Sequence, residues 1–256
     1  MKSLTITATL LSTITFIAQA EINVVASVKP VHSLVSAVME GIGVPDLIVK
    51  GAASPHTYAL KPSQAEQIEK ADLVFWMGHS LETFLEKPLE ALGTKAMVVE
   101  LMDSEGLKKL KMREGGGFDD HDHDEHDEHD EHDDHDEHDD HDEHDEHSKE
   151  SHDEHGHGEF DVHVWLDPEN AKVMANEIME ALKKVDPGNA KKYETNTKKI
   201  VEKLNRLVAE ISAELSSVKG KGFIVFHDAY QYFEERFGLK AVGSITVSPE
   251  VVPGVK

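Results

Sequence analysis

Thirteen of the 18 histidines fall in one stretch of 41 residues, 119–159. They start at His121 and His123, recur every third residue from His126 to His147, and end at His152, His155 and His157. Twenty-three Asp and Glu residues and one lysine fill most of the remainder. Imidazoles and carboxylates at this density are the donors that Zn²⁺ and similar borderline cations take up. The run has almost no apolar side chain to offset the entropy of ordering, so it cannot build a packed core. A solvated acidic linker would need only Asp and Glu, so the histidines point to transition-metal binding. Each binding event would have to order chain, which makes the run a weak, exchangeable collector or buffer rather than a main site.

The other five histidines stand alone. His56 lies in Ser54-Pro55-His56-Thr57-Tyr58, His163 just before Trp165-Leu166-Asp167-Pro168, and His227 in Phe226-His227-Asp228-Ala229-Tyr230. His56 and His227 each follow an expected strand, and open α/β sheets bind ligands beyond the carboxyl ends of their strands. The gaps between the three are 107 and 64 residues, unlike a local zinc motif, so spacing does not bring them together. By local sequence His32 and His79 are their equals. With no cysteine there is neither a disulfide nor a thiolate site, and any metal centre must use His, carboxylate and water.

The elements that must position these residues follow from pattern. Short β-rich runs at 22–27, 46–49, 72–76 and 96–99 alternate with helical patterns at 31–39, 62–70 and 81–92. Near-unbroken apolar strands alternating with helices predict a parallel sheet covered on both faces. Asp167-Pro168 starts a helix to Val185, and Asp186-Pro187-Gly188 breaks it. A second helical pattern runs from about Asn189 to Val218; roughly 28 residues of helix would be about 42 Å long, more than one lobe needs, which predicts a strut between two lobes. From Lys221 the α/β rhythm restarts, with a strand at 223–226, a helix at 228–237 and a strand at 239–247. The expected class is therefore α/β, two lobes with parallel sheets joined by a long rigid helix. The second lobe is expected to be incomplete.

Lys2, the apolar stretch Leu4–Ile17 and Ala18-Gln19-Ala20 form a secretory signal pattern, with cleavage expected after Ala20. The expected division is a signal segment at 1–20 and an N-terminal lobe at 21–166 that carries the run 119–159. A helical hairpin and strut at 167–219 and the start of a second lobe at 220–256 complete it. The net charge of −24 is misleading, because the run alone holds −22. The rest is near neutral and offers no basic patch for nucleic acid.

Five segments carry a resemblance: Val25-Ala26-Ser27-Val28-Lys29-Pro30, Ser54-Pro55-His56-Thr57-Tyr58, Ala71 to Gly78, His163 to Pro168 and Phe226 to Tyr230. In this order they are similar to the zinc-uptake solute-binding proteins of bacterial ABC transporters (ZnuA-type), over Glu21 to Lys256 and with an acidic His-rich insertion at the same place. The resemblance implies two lobes on a rigid helix, with the metal in the cleft between them. It implies His56, His163 and His227 as ligands, a periplasmic monomer, and delivery of Zn²⁺ to a membrane permease. Manganese-binding relatives tend to place a carboxylate where His227 stands, and three imidazoles suit Zn²⁺ better than Mn²⁺. Zn²⁺ and Ni²⁺ are not separated this way. The chain departs from relatives that carry a Glu before the first histidine, since Pro55 stands there. Asp161 and Asp228 fit two readings equally, as acceptors that orient the imidazoles or as exposed turn and helix-start carboxylates. The alternative is a periplasmic zinc buffer working through the run 119–159, with weak sites there. A His₃ hydrolase is a more distant rival, since only Asp228 offers itself as a general base.

Overall fold

The computed structural model describes residues 22–113 and 159–246. The expected signal segment, the acidic run apart from Glu159, and the last ten residues lie outside the described residues.

The first sheet has four parallel strands: β1 (Val24–Ala26), β2 (Asp46–Leu47), β3 (Leu73–Trp76) and β4 (Met97–Glu100), in the order β2-β1-β3-β4. Every residue of β1 and β3 is buried, as continuous apolar runs between two helical layers require. Three helices connect the strands: α1 (Lys29–Val38), α2 (Pro62–Lys70) and α3 (Thr83–Leu92). Right-handed crossovers put α1 on one face and α2 with α3 on the other. β4 is an edge strand and leaves Met97 and Val98 partly open, so the expected double cover holds for the central strands only.

The neighbours β1 and β3 are reached by connections on opposite faces, so the sheet opens between their carboxyl ends. Glu82 fills that opening. It is fully buried, and its carboxylate accepts from the backbone N–H groups of Met77 at 2.8 Å and Gly78 at 3.0 Å. Burial pushes its carboxyl up to about 7. Gly78 has φ 137°, and a Cβ there would meet the Glu100 carboxylate, so this turn requires glycine.

The next two helices are α4 (Pro168–Val185) and α5 (Ala190–Glu214), closing into a hairpin around Asp186. The buried Tyr193 hydroxyl and the Asn189 amide both donate to the Asp186 carboxylate, at 2.7 Å each. Asp167 caps α4, and Pro168 at its first position supplies the preset φ. The buried residues of α5 are Tyr193, Asn196, Thr197 and Ile200. Its second half lies beyond that core, and Leu207 is exposed, as a helix running between two sheets would be. At 25 residues it is about 37 Å long.

The second sheet is the parallel pair β5 (Gly222–His227) and β6 (Lys240–Thr246), crossed by α6 (Gln231–Phe237). Two details differ from the sequence reading. His227 ends the strand rather than following it, and α6 starts at Gln231 rather than Asp228. Asp228 is taken up by a side-chain pairing described below, which holds it outside the helix.

Glu82 yields a prediction with a definite sign. Its folded-state value lies above the ordinary 4.5, so the native state holds the proton more tightly and the carboxyl costs stability as pH rises from about 5 to 8. Glu82→Gln keeps an acceptor for both N–H groups and removes this dependence. The variant should gain on the order of 3 kcal/mol relative to the wild type between pH 5 and pH 8, read by urea unfolding at each pH.

Candidate metal centre

Three segments distant in sequence converge at one place. His56, His163 and His227 each bring a ring nitrogen within 4.8 Å of the others. Their ring centroids lie 5.6 Å (His56–His163), 6.4 Å (His56–His227) and 5.5 Å (His163–His227) apart. Among the described residues this is the group of His, Cys, Asp and Glu side chains whose geometry could hold a metal ion. His32 and His79, which local sequence did not distinguish, lie elsewhere: His32 bonds the Pro45 carbonyl at 3.0 Å, and His79 pairs with Glu86 at 2.9 Å.

His56 sits in a single 3-10 turn, Pro55–Thr57, beyond the end of β2. The Ser54 hydroxyl caps that turn by accepting from the His56 N–H, and Pro55 fixes the entering φ. The loop is tied down from behind. Buried Gln64 donates to both the Ile48 carbonyl and the Tyr58 hydroxyl, and the Tyr58 ring packs on Phe84 at 5.1 Å.

His163 is held more tightly. The segment 110–112 pairs antiparallel with 159–161, through Met112 N–H to the Glu159 carbonyl at 2.9 Å and Asp161 N–H to the Leu110 carbonyl at 2.8 Å. This short neck pairs the described chain on either side of residues 114–158. Asp161, at its inner end, is buried and bonds His163 Nδ1 at 2.7 Å while also accepting the His163 backbone N–H at 2.9 Å. Nδ1 is thereby occupied, and Nε2 is the nitrogen left to face an ion. The next residue, Val164, is fully buried and anchors the turn in the core. Buried Asn170 on α4 bonds the Val164 carbonyl and both backbone groups of Lys108.

His227 arrives from the second sheet. The following residue, Asp228, forms a two-point pair with Arg113, at 3.1 and 2.8 Å. Of the two candidate acceptors, Asp161 therefore binds an imidazole of the triad directly, whereas the Asp228 carboxylate is engaged by a guanidinium. Burial holds the Asp228 carboxyl above its usual range although Arg113 pulls it down, with Asp161 and Glu234 adding like charge.

Three imidazoles, one of them held by a buried carboxylate, can coordinate a divalent cation of the Zn²⁺ type with room for a fourth ligand. Tetrahedral zinc places its nitrogens about 3.4 Å apart, so binding would draw the triad together by at most about 1.4 Å.

Residues 24–256 match the model of the family described as zinc-uptake complex component A, periplasmic. The chain belongs to this family. It is 62% identical over 231 residues to the high-affinity zinc uptake system protein ZnuA of Brucella abortus, covering 90% of this chain and 69% of that one. With the Yersinia pestis protein of the same name it shares 34% over 242 residues, covering 91% and 68%. Solved structures show the fold. The zinc-bound AdcA of Streptococcus pneumoniae superposes with a TM-score of 0.65 at 23% identity, over 92% of this chain and 41% of that chain. A manganese-bound periplasmic metal-binding protein from candidatus Liberibacter asiaticus gives 0.62 at 19%, over 86% and 67%. Family members of this kind are solute-binding components of transport systems, with the mixed helix and parallel-sheet architecture seen here.

Asp161→Ala removes the acceptor behind His163 Nδ1 and should weaken binding of a divalent ion at the triad by 10- to 100-fold. Titration with Co²⁺, followed by its visible absorption, reads this directly.

Proposed function

We propose that this chain captures Zn²⁺ as cargo between His56, His163 and His227 and delivers it to the membrane permease of an ABC-type importer. The observation that carries the proposal is the convergence of three imidazoles from three separate segments, with a buried carboxylate fixing one of them. The donor set is all nitrogen at these three positions, which favours Zn²⁺ over the harder Mn²⁺. Membership in the zinc-uptake family and the name shared by its Brucella and Yersinia relatives support the same cargo. On this reading the protein works in the periplasm after removal of residues 1–20, as a monomer, and the triad is a cargo site rather than a catalytic one.

The reading divides the chain as the sequence suggested. The first lobe, 21–166, supplies His56 and His163, and the lobe beginning at 220 supplies His227. The hairpin and strut at 167–219 set the distance between them. A stiff helix and a side-chain interface between the sheets favour small movements on binding over a wide hinge. The acidic run 119–159 is accessory, adding weak sites that raise local zinc concentration.

Calorimetric zinc titration separates this from the buffer alternative. The chain lacking 119–159 should retain one tight site, and His56→Ala in that background should abolish it. Loss of the tight site on deleting the run would make the run itself the zinc binder.

A further inference from the structure

His56 and His163 stand on turns that pack with the first sheet and its helices, while His227 alone comes from β5. The shape of the triad therefore depends on how the β5–α6 unit is seated against the first sheet. Among the described residues, four polar ties help to seat it. Lys108 pairs with Glu235 at a half-exposed position, and such pairs contribute little. Arg236 grips Asp167 with two bonds, at 2.7 and 2.6 Å, on the side of the α4 cap. The Tyr232 hydroxyl bonds the neck backbone at Leu110 and Asp161.

The fourth tie is Arg113, at the outer end of the neck. Its guanidinium bonds both oxygens of Asp228 and, at 3.1 and 2.8 Å, both oxygens of Glu234. Glu234 is nearly fully buried and also accepts the Ala241 N–H of β6 at 2.8 Å. One planar cation thus holds the residue after His227, the helix α6 and the strand β6 at once. Through the neck pairing it lies on the same short ladder as Asp161, which holds His163. A lysine has one ammonium and no rigid fork, and cannot make this double two-point grip.

We infer that Arg113 is a positioning residue for the metal site, setting the height of His227 against His56 and His163 by clasping Asp228 and Glu234. This rests on the zinc-capture reading above. Arg113 makes no contact with the ion in this scheme. It acts through Asp228, so its loss should loosen the triad without removing a donor.

The test uses the full chain, with zinc affinity measured by competition against a chromophoric chelator. The tight component is defined as the one that His56→Ala removes. Arg113→Gln should weaken that component tenfold or more at a temperature where circular dichroism shows the variant folded. The Co²⁺ visible spectrum should change in intensity, reporting altered coordination. Arg113→Lys should fail to restore either readout. The double variant Arg113→Gln/Asp228→Asn should be no weaker than Arg113→Gln alone, because both remove the same link. If Arg113→Gln does not fold, Arg113→Lys is read against the same thresholds. Zinc affinity within twofold of the wild type and an unchanged Co²⁺ spectrum, even with a lowered melting temperature, would overturn the inference and leave Arg113 a stability residue only. A wild-type chain without a tight component sensitive to His56→Ala would instead overturn the functional reading, and the positioning role with it.

Discussion

The buried hydroxyl of Tyr232 is the contact on which the arrangement of the site depends. It accepts from the Leu110 N–H at 2.9 Å and donates to the Asp161 carbonyl at 2.7 Å, joining both strands of the neck to a helix of the second sheet. The side chain is 1% exposed and packs with the core of the first sheet. Such a hydroxyl is costly to bury unless both its hydrogen-bonding roles are met, and here both are. Among the described residues the second sheet and its helix bury a smaller set apart from that core, Val225, Ala229, Phe237 and Ala241. Ile224, Phe226, Val242 and Ile245 on its strands are exposed, so its placement relies on what α6 buries against the first lobe.

Around that anchor the charges are disposed for a cation. Asp161, Asp228 and Glu234 lie close enough to influence one another, and Arg113 is the guanidinium set among them. Three carboxylates against one guanidinium place more acidic than basic groups behind the imidazoles. A divalent ion entering the triad would offset that excess. Burial of these acids is tolerated because each is also hydrogen-bonded.

The described chain on either side of residues 114–158 meets at this same place, one strand of the neck leading to Arg113 and the other to Asp161. The site is thus built on the root of an insertion, and His163 follows directly after it. A large insertion is tolerated at such a point because backbone pairing closes its ends and spares the core.

The sequence by itself determined the types of the main elements and placed their bounds to within about a turn of chain. Pro62 opened α2, Asp167-Pro168 opened α4 and Asp186-Pro187-Gly188 ended it, since proline position and capping act within a few residues. The unbroken apolar runs Val24–Ala26 and Leu73–Trp76 required a two-sided parallel sheet, because only burial on both faces accounts for them. The strut was legible from the length of one periodic pattern. What the residues alone left open was which histidines meet. His32, His56, His79, His163 and His227 have similar local settings, and family resemblance, not spacing, singled out three. Tertiary structure alone brings ring nitrogens 107 and 64 residues apart to within 4.8 Å. It also gave Asp161 to His163 and Asp228 to Arg113, two carboxylates that the sequence had treated alike. Arg113 carried no signal at all, because a lone arginine beside a low-complexity run acquires meaning only when a distant strand delivers its partners. Local rules act over a turn or two of chain, whereas a cleft site is made by long-range packing, and only the folded molecule specifies that.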